Sequence, residues 1–271
     1  MTTHRGYAEG PYGQIHYRDT GEGVALLLFH QSPMSHRQYD SVYDLLHDRG
    51  IRAIGVDTPG FGMSDPPDFV PTIQDYARIA PALLDHLGIE RAFALGHHTG
   101  AQVATEVAAL VPDRIMGLIL NGPTPFSDDA RATSLKHVEI NEKGFKAQPD
   151  GMHLAKAFKS RMTFANKDTK WPLTTRYIAE QFGGLGPFWY GHHAAFVYDH
   201  AASIKTISHP TLILTNTGDQ IYDLAQETRE MRPDFAYAEI EGGGIDIVDE
   251  KPDEWVEAVT AFIGELYATA E

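Results

Sequence analysis

The sequence predicts an α/β fold, with a mostly parallel sheet, helices on both of its faces and a helical cap insertion. Five apolar segments have the length of strands and are rich in Val, Ile and Leu, without the alternation that marks a half-exposed strand. Segments with helical spacing separate the first four. Strands that alternate with amphipathic helices form a parallel sheet covered on both sides, and ligands bind at the carboxyl ends of such strands.

The predicted elements follow one another in a simple order. Residues 6–23 alternate side chains and break at glycines, which indicates one or two hairpin strands. The other strands are expected at 24–30, 51–57, 91–97, 116–122 and 211–217. Helices are expected at 36–48, 73–87 and 101–110, and a final amphipathic helix at 252–267.

The stretch from 123 to 204 interrupts this order, because it lacks clear strand segments and is dense in large aromatic and polar residues. We therefore expect a core formed by residues 1–122 and 205–271. Residues 123–204 are expected to form a mainly helical cap over the edge of the sheet, and we call them the cap segment. Its aromatic residues either pack against one another or line an apolar pocket.

Composition excludes several classes of function. The 22 basic and 37 acidic residues give a net charge of −15, which argues against nucleic acid or an anionic membrane as the main partner. The absence of cysteine excludes disulfides, a thiolate nucleophile and zinc sites built from cysteine. The start of the chain has no signal-peptide pattern, and no apolar stretch is long enough to span a bilayer. We expect a cytoplasmic protein with a small-molecule partner; the sequence leaves the oligomeric state open.

Four short motifs occur in order along the chain. They are FHQSP at 29–33, DTPGFGMSDPP at 57–67, LGHHTGA at 95–101 and PTLILTNTGD at 210–219. Together they resemble the α/β-hydrolase superfamily, in particular its branch with a helical cap between the sixth and seventh strands. The second motif is the most specific, since it matches a long loop pattern of that family.

The resemblance implies a catalytic site, but the expected residues are only partly present. The family's strand-to-helix turn, G-x-S-x-G, holds a serine nucleophile. Here the turn reads Gly-His-His-Thr-Gly, and His98 occupies the serine position. Asp219 matches the family's acid. The family's histidine position falls on Ile245, so the resemblance excludes a conventional serine hydrolase at these positions.

A histidine at the turn suggests a different catalytic pair. The imidazole of His98 is long enough to reach Asp219, and Ile245 leaves the intervening space free of a second ring. One ring N–H would then bond Asp219, and the other ring nitrogen would face the cavity as a general base. A less favoured alternative is that His98 attacks a carbonyl and forms an acyl-imidazole.

Further site residues are implied by the same resemblance. The oxyanion site would be formed by the backbone N–H groups of Thr99 and Ser32. Gln31 replaces the usual glycine of the first loop and is a candidate polar contact to the substrate. In the cap segment, Trp189 and His192 are candidate substrate contacts.

No metal and no cofactor are expected. His30 and His97 are expected to support loops rather than to take part in chemistry. The set of His30, His97, His98 and Asp219 resembles a zinc site in composition. However, adjacent residues at the end of a strand point to opposite faces, so His97 and His98 are not expected to share an ion.

Three classes of function remain open at this point. The first is hydrolysis of a small ester, lactone or other activated carbonyl compound by a His98–Asp219 general base. The second is a cofactor-independent lyase, oxygenase or isomerase that uses the same pocket. The third is a pseudo-hydrolase that binds a ligand without turnover. We favour the first.

Overall fold

The computed structural model describes residues 2–268, and its architecture is an eight-stranded sheet with helices on both faces. The strands are β1 Thr3–Gly10, β2 Gly13–Thr20, β3 Val24–Phe29, β4 Ile51–Val56, β5 Ala92–His97, β6 Ile115–Asn121, β7 Thr211–Asn216 and β8 Ala236–Ile240. Their order in the sheet is β1-β2-β4-β3-β5-β6-β7-β8. The pairs β1–β2 and β2–β4 are antiparallel and all the other pairs are parallel, which confirms the predicted fold class.

Twelve α-helices connect and cover these strands within residues 2–268. They are α1 Tyr43–His47, α2 Ile73–Ala77, α3 Ile79–His86, α4 Thr99–Leu110, α5 Asp128–His137, α6 Met152–Arg161, α7 Trp171–Gly183, α8 Trp189–Val197, α9 His200–Thr206, α10 Tyr222–Met231, α11 Ile247–Glu250 and α12 Pro252–Ala268. Short 3-10 turns lie at His36–Tyr39, Pro112–Arg114 and Met162–Phe164, and one π-helical turn lies at Val138–Glu142.

Two of the predicted helices are broken in the structure. The segment 36–48 divides into a 3-10 turn and α1, and Ser35 caps the turn by accepting a hydrogen bond from the Arg37 N–H. The segment 73–87 divides into α2 and α3 at Arg78. Pro81 has no N–H to offer to the carbonyl of Ala77, which weakens the helix at this point. The edge strand β8 was not among the predicted strands, because it is only partly buried and has no long apolar run.

The core consists of two apolar layers, one on each face of the sheet. Along β3, Leu27 belongs to one layer, while Leu26 and Leu28 belong to the other. Trp255 of α12 is fully buried in the second layer, and its indole N–H donates to the Asn121 side chain at 2.8 Å. Because both faces are covered, the carboxyl ends of the parallel strands are the place where a ligand can reach the sheet.

The chain between β6 and β7 contains α5 to α9 and, among the described residues, no strand. These helices lie beyond the carboxyl end of β6, and several of them line the cavity described below. The exact division into core and cap segment stays a prediction. In the part of the chain that the structure describes, no helix combines the length and the apolarity that crossing a membrane requires.

Candidate active site

The turn between β5 and α4 consists of one residue, His98. Its φ of 50° is the only positive φ of a non-glycine residue within residues 2–268. The flanking glycines allow this tight turn. A Cβ on Gly96 would lie 1.9 Å from the Gly100 carbonyl oxygen, and a Cβ on Gly100 would lie 1.9 Å from the Phe29 carbonyl oxygen. The sequence therefore folds into a sharp elbow that holds residue 98 in a strained backbone conformation.

The elbow brings His98 against Asp219, which follows β7. The distance from His98 Nε2 to Asp219 Oδ2 is 2.7 Å, and the Asp219 side chain is fully buried. Burial alone would raise the pKa of Asp219, but the electrostatic interaction and the hydrogen bond with His98 outweigh burial and bring the pKa to about 2. Asp219 is therefore an ionised acceptor, and His98 donates through Nε2–H.

The second ring nitrogen of His98 remains free for chemistry. Within residues 2–268, Nδ1 makes no hydrogen bond, and His98 lines a cavity with 11% of its side chain exposed. A histidine that donates through Nε2 carries its lone pair on Nδ1. Nδ1 is thus the ring nitrogen that is available to accept a hydrogen bond or a proton.

Ile245 lines the same cavity, in a loop that the surrounding side chains hold firmly. The Asn216 amide donates to the Gly244 carbonyl at 3.1 Å, and the Gly244 N–H donates to Glu250. The position where the family's histidine is expected therefore presents an aliphatic residue to the cavity. The neighbouring Asp246 forms an ion pair with Arg161 of α6.

The two residues of the predicted oxyanion site, Ser32 and Thr99, line the cavity beside His98. The Thr99 N–H lies at the first position of α4, where no intrahelical acceptor exists. The Ser32 N–H donates to no group in the described part of the chain. Two residues of the cavity lining therefore have backbone N–H groups without an acceptor in the described residues.

Gln31 also lines the cavity, and hydrogen bonds to its backbone N–H and carbonyl groups hold it in place. Its N–H donates to the Gln38 side chain at 2.8 Å, and its carbonyl accepts bonds from Met34 N–H and from His30. The side-chain Nε2 of Gln31 is buried and has no partner within residues 2–268. Its role as a polar contact to the substrate stays a prediction.

The expectation that His97 and His98 point apart is wrong. Their ring centroids are 4.3 Å apart, and a ligand atom from each lies within 4.8 Å of the other and of Asp219. The positive φ of His98 breaks the alternation of the strand and turns its ring back toward His97. His97 Nδ1 contacts the Gln38 amide, and burial lowers the pKa of His97 well below its ordinary value.

This cluster fits a hydrogen bond better than a zinc ion. Zinc bonds of about 2.0 Å at a tetrahedral angle would separate a histidine nitrogen from a carboxylate oxygen by about 3.3 Å. The observed separation between His98 and Asp219 is 2.7 Å. His30 lies outside the cluster, since its Nε2 accepts a bond from the Thr58 N–H at 3.0 Å.

A second group of buried histidines surrounds Asp57, at the start of the DTPGFGMSDPP loop. His16 Nδ1 and His36 Nδ1 contact the two carboxylate oxygens at 2.9 and 2.8 Å, and the backbone N–H groups of His36 and Met63 complete the set. Burial would raise the pKa of Asp57, but these hydrogen bonds and the nearby histidines lower it far below its ordinary value. This carboxylate anchors the loop.

The cavity has a volume of about 660 Å³. His98 and its neighbours Gln31, Ser32 and Thr99 form part of its lining. Much of the rest consists of aromatic side chains of the segment between β6 and β7: Phe126, Phe145, Phe164, Tyr177, Phe182, Phe188 and Phe196. Trp189, a predicted substrate contact, is not among the residues that line this cavity. Its ring packs against Tyr190 and His193 instead, with centroids 4.8 and 5.6 Å away.

His192, the other candidate substrate contact, lines the cavity and has a partner that the sequence did not reveal. His192 Nδ1 lies 2.9 Å from both carboxylate oxygens of Glu142. Burial would lower the pKa of His192, but the charge of Glu142 and hydrogen bonds to Glu142 and the Ser32 backbone raise it. No spacing signal pairs these residues, because Glu142 belongs to the π-helical turn and His192 to α8.

Relatives of known name share part of the sequence. Over 109 residues the chain is 36% identical to haloalkane dehalogenase 2 of Mycobacterium tuberculosis, covering 40% of this chain and 38% of that protein. It is 37% identical over 114 residues to a 2-hydroxy-6-oxononadienedioate/2-hydroxy-6-oxononatrienedioate hydrolase of Paraburkholderia phymatum, covering 40% of each. The match thus spans about two fifths of the length of these relatives.

Solved structures match over nearly the whole chain. An esterase from Thermogutta terrifontis has a TM-score of 0.78 at 22% identity, covering 97% of this chain and 99% of that one. A bromoperoxidase from Bacillus anthracis has a TM-score of 0.79 at 21% identity, covering 96% and 100%. At such identities the likeness shows the fold alone. The sequence model of the alpha/beta hydrolase fold family matches residues 24–251, and the chain therefore belongs to that family.

Proposed function

We propose that this protein hydrolyses a small ester, lactone or other activated carbonyl compound, with His98 and Asp219 as a general-base pair in place of a serine nucleophile. The observation that carries the proposal is the 2.7 Å bond from His98 Nε2 to Asp219. That bond commits Nε2 to the carboxylate and leaves the Nδ1 lone pair to the cavity. Asp219 then stabilises the imidazolium that forms when Nδ1 takes a proton.

In the proposed reaction, Nδ1 takes a proton from a water molecule as the water oxygen attacks the substrate carbonyl carbon. The carbonyl oxygen becomes an oxyanion, which the N–H groups of Ser32 and Thr99 stabilise. The tetrahedral intermediate then collapses and the bond to the leaving oxygen breaks. His98 returns its proton to that oxygen, so that the products are an acid and an alcohol.

General-base action accounts for the geometry better than direct attack by His98. Nδ1 is flanked by the ring carbon that carries the side chain, which crowds any acyl group bound to it. A proton transfer needs only the approach of a small water molecule. Relatives named as a haloalkane dehalogenase and a dienedioate hydrolase support a small organic substrate.

The test is hydrolysis of a panel of aryl esters and lactones by the wild type and by His98→Ala. Loss of the general base should lower kcat by about 100- to 10,000-fold. His193→Ala is the matched control, because His193 lies on the same helix as His192 but outside the cavity lining. Reaction in ¹⁸O-water should place one labelled oxygen in the acid product.

Three outcomes would overturn the proposal. Full activity of His98→Ala would exclude His98 as the base. Conversion of a substrate without incorporation of ¹⁸O would indicate a lyase or isomerase instead. Tight binding of carbonyl compounds with no turnover by the wild type would indicate a pseudo-hydrolase.

A further inference from the structure

The charge of the cavity lining is opposite to that of the whole chain. Acidic residues outnumber basic ones by 37 to 22 in the sequence. Among the lining residues, by contrast, three carry permanent positive charge, Lys146, Lys156 and Arg161, and Glu142 is the one acid. A cavity of positive charge in an acidic protein admits anions that the rest of the surface repels.

Some of the charged residues that line the cavity form ion pairs within the protein, and others are free to bind a ligand. Arg161 is paired with Asp246, and Glu142 is paired with His192. Within residues 2–268, neither Lys146 nor Lys156 has a carboxylate oxygen within 4.0 Å. Lys143, in the same stretch of chain, bonds Glu139 at 3.1 Å and does not line the cavity. Lys146 and Lys156 are therefore the two lysines of the cavity lining that no carboxylate neutralises.

The two unpaired lysines, Lys146 and Lys156, belong to neighbouring parts of the cavity wall. Lys146 follows Phe145, and Lys156 lies one helical turn beyond His153 on α6. The rings of Phe145 and His153 are in contact, with centroids 5.6 Å apart. The rings of Phe145 and Phe188 are also in contact, with centroids 5.4 Å apart. An aromatic surface therefore lies beside the backbone positions from which both lysines extend.

Uncharged donors occupy the same part of the wall. His153 Nδ1 accepts a bond from the Gln148 N–H at 3.1 Å, which places the proton of the neutral ring on Nε2. Gln181 and Ser160 line the cavity as well. This wall therefore combines aromatic surface, neutral donors and two unpaired ammonium groups.

We propose that the substrate carries a carboxylate, which Lys146 and Lys156 bind while the reacting carbonyl lies at His98. The intervening part of the substrate is apolar and packs on the aromatic wall. This assignment of substrate class rests on the proposed hydrolytic function of the same cavity. It makes the two lysines specificity residues, whose charge selects the substrate without taking part in the bond cleavage.

The kinetic test compares two phenyl esters of equal chain length, monophenyl adipate and phenyl hexanoate. The wild type should prefer the carboxylate ester in kcat/KM by about tenfold. The double variant Lys146→Gln/Lys156→Gln should lose that preference through KM, with kcat unchanged. The matched control is Lys143→Gln/Lys159→Gln, which removes two lysines of the same segments that do not line the cavity.

A binding test separates this proposal from the hydrolytic one. Calorimetry with phenylacetate and with uncharged phenylacetamide is carried out on the wild type and on His98→Ala. We expect both proteins to bind phenylacetate more tightly, and the preference to vanish in Lys146→Gln/Lys156→Gln and to weaken in 0.5 M NaCl. If the wild type shows this preference for phenylacetate but hydrolyses none of the esters, the anion-binding site is supported and the proposed hydrolytic function is refuted. Equal binding of the two probes, or equal turnover of the two esters, would refute the anionic site alone.

Discussion

At the scale of single residues, the site depends on the backbone conformation of His98. A φ of 50° with a ψ of −110° is rare for a residue with a Cβ, and such strain costs on the order of 1–3 kcal/mol. It directs the imidazole toward Asp219 rather than along the strand. His98 therefore stands at the family's serine position in the sequence, but its ring bonds Asp219, as the family's histidine would.

Asp219→Asn tests the pair at this scale. An asparagine amide N–H next to Nε2 would force Nε2 to accept a hydrogen bond and would move the ring proton to Nδ1. The base would then be lost, so we expect kcat to fall by about 100- to 10,000-fold with little change in KM.

Steady-state kinetics on the best ester of the panel is the measurement for this variant. Asp223→Asn is the control, since Asp223 is exposed on α10 and should leave kcat unchanged. An Asp219→Asn variant that folds normally and keeps wild-type kcat would show that His98 acts without its carboxylate.

At the scale of elements, the site lies where β5, β6 and α4 meet. The His98 N–H donates to the Asn121 carbonyl at 2.9 Å, so the elbow is bonded to the end of β6. Gly122, the next residue, has a φ of +63°. A Cβ there would lie 2.6 Å from His98 Cδ2 and 2.9 Å from His98 Nε2. The end of β6 thus provides the space that the imidazole occupies.

Gly122→Ala should therefore displace the His98 ring from Asp219. The methyl group meets the ring carbon next to Nε2, and neither strand can retreat without breaking sheet hydrogen bonds. We expect activity to fall at least tenfold, a loss that corresponds to about 1.4 kcal/mol in transition-state stabilisation.

Gly88→Ala is the matched control for that variant. Gly88 has the same φ of +63°, but a Cβ at this position meets nothing within 4 Å. Both variants carry the same backbone strain, so thermal unfolding should shift in both, whereas activity should fall only in Gly122→Ala. Equal activity in the two variants would show that the ring tolerates the methyl group.

At the scale of the whole molecule, several buried histidines make the fold sensitive to acid. Burial lowers the pKa of His30 and His97, and it lowers the pKa of His200 to about 3. A histidine in the unfolded chain binds its proton near pH 6.5. The unfolded state therefore gains protons first on acidification, so the stability that these groups contribute is present above about pH 6.5 and is lost as the pH falls toward their folded values.

His200 allows the effect to be measured at one position. With a folded pKa of about 3, it should contribute a loss of about 2 kcal/mol in the free energy of unfolding between pH 8 and pH 5. His200→Gln keeps a polar side chain near Thr105 and Thr124 but cannot titrate.

Urea unfolding at pH 8 and pH 5 gives the comparison. Between pH 8 and pH 5, the free energy of unfolding should fall by about 2 kcal/mol more in the wild type than in His200→Gln. His4→Gln is the control, because His4 is exposed and its removal should leave the pH dependence unchanged. If the free energy of unfolding falls by the same amount in the wild type and in His200→Gln, then His200 takes up its proton without unfolding.

The sequence by itself determined the fold class and identified His98 and Asp219 as the residues of a predicted pair. Uninterrupted apolar strands separated by helices are a local property of the chain, and they specify a covered parallel sheet. Gly96 likewise has a local cause, since a Cβ there would lie 1.9 Å from the carbonyl oxygen of Gly100 in the same elbow. The breaks in the predicted helices at 36–48 and 73–87, and the edge strand β8, were missed because caps, proline position and partial burial change the pattern only slightly.

Only the tertiary structure decided which groups meet. The proximity of His97 to His98 depends on one backbone angle, and the exclusion of Trp189 from the cavity depends on how α8 is rotated. The pairing of Glu142 with His192 and the unpaired state of Lys146 and Lys156 depend on distances between residues far apart in sequence. Such distances are set by the packing of whole elements, and no local pattern of side chains encodes them.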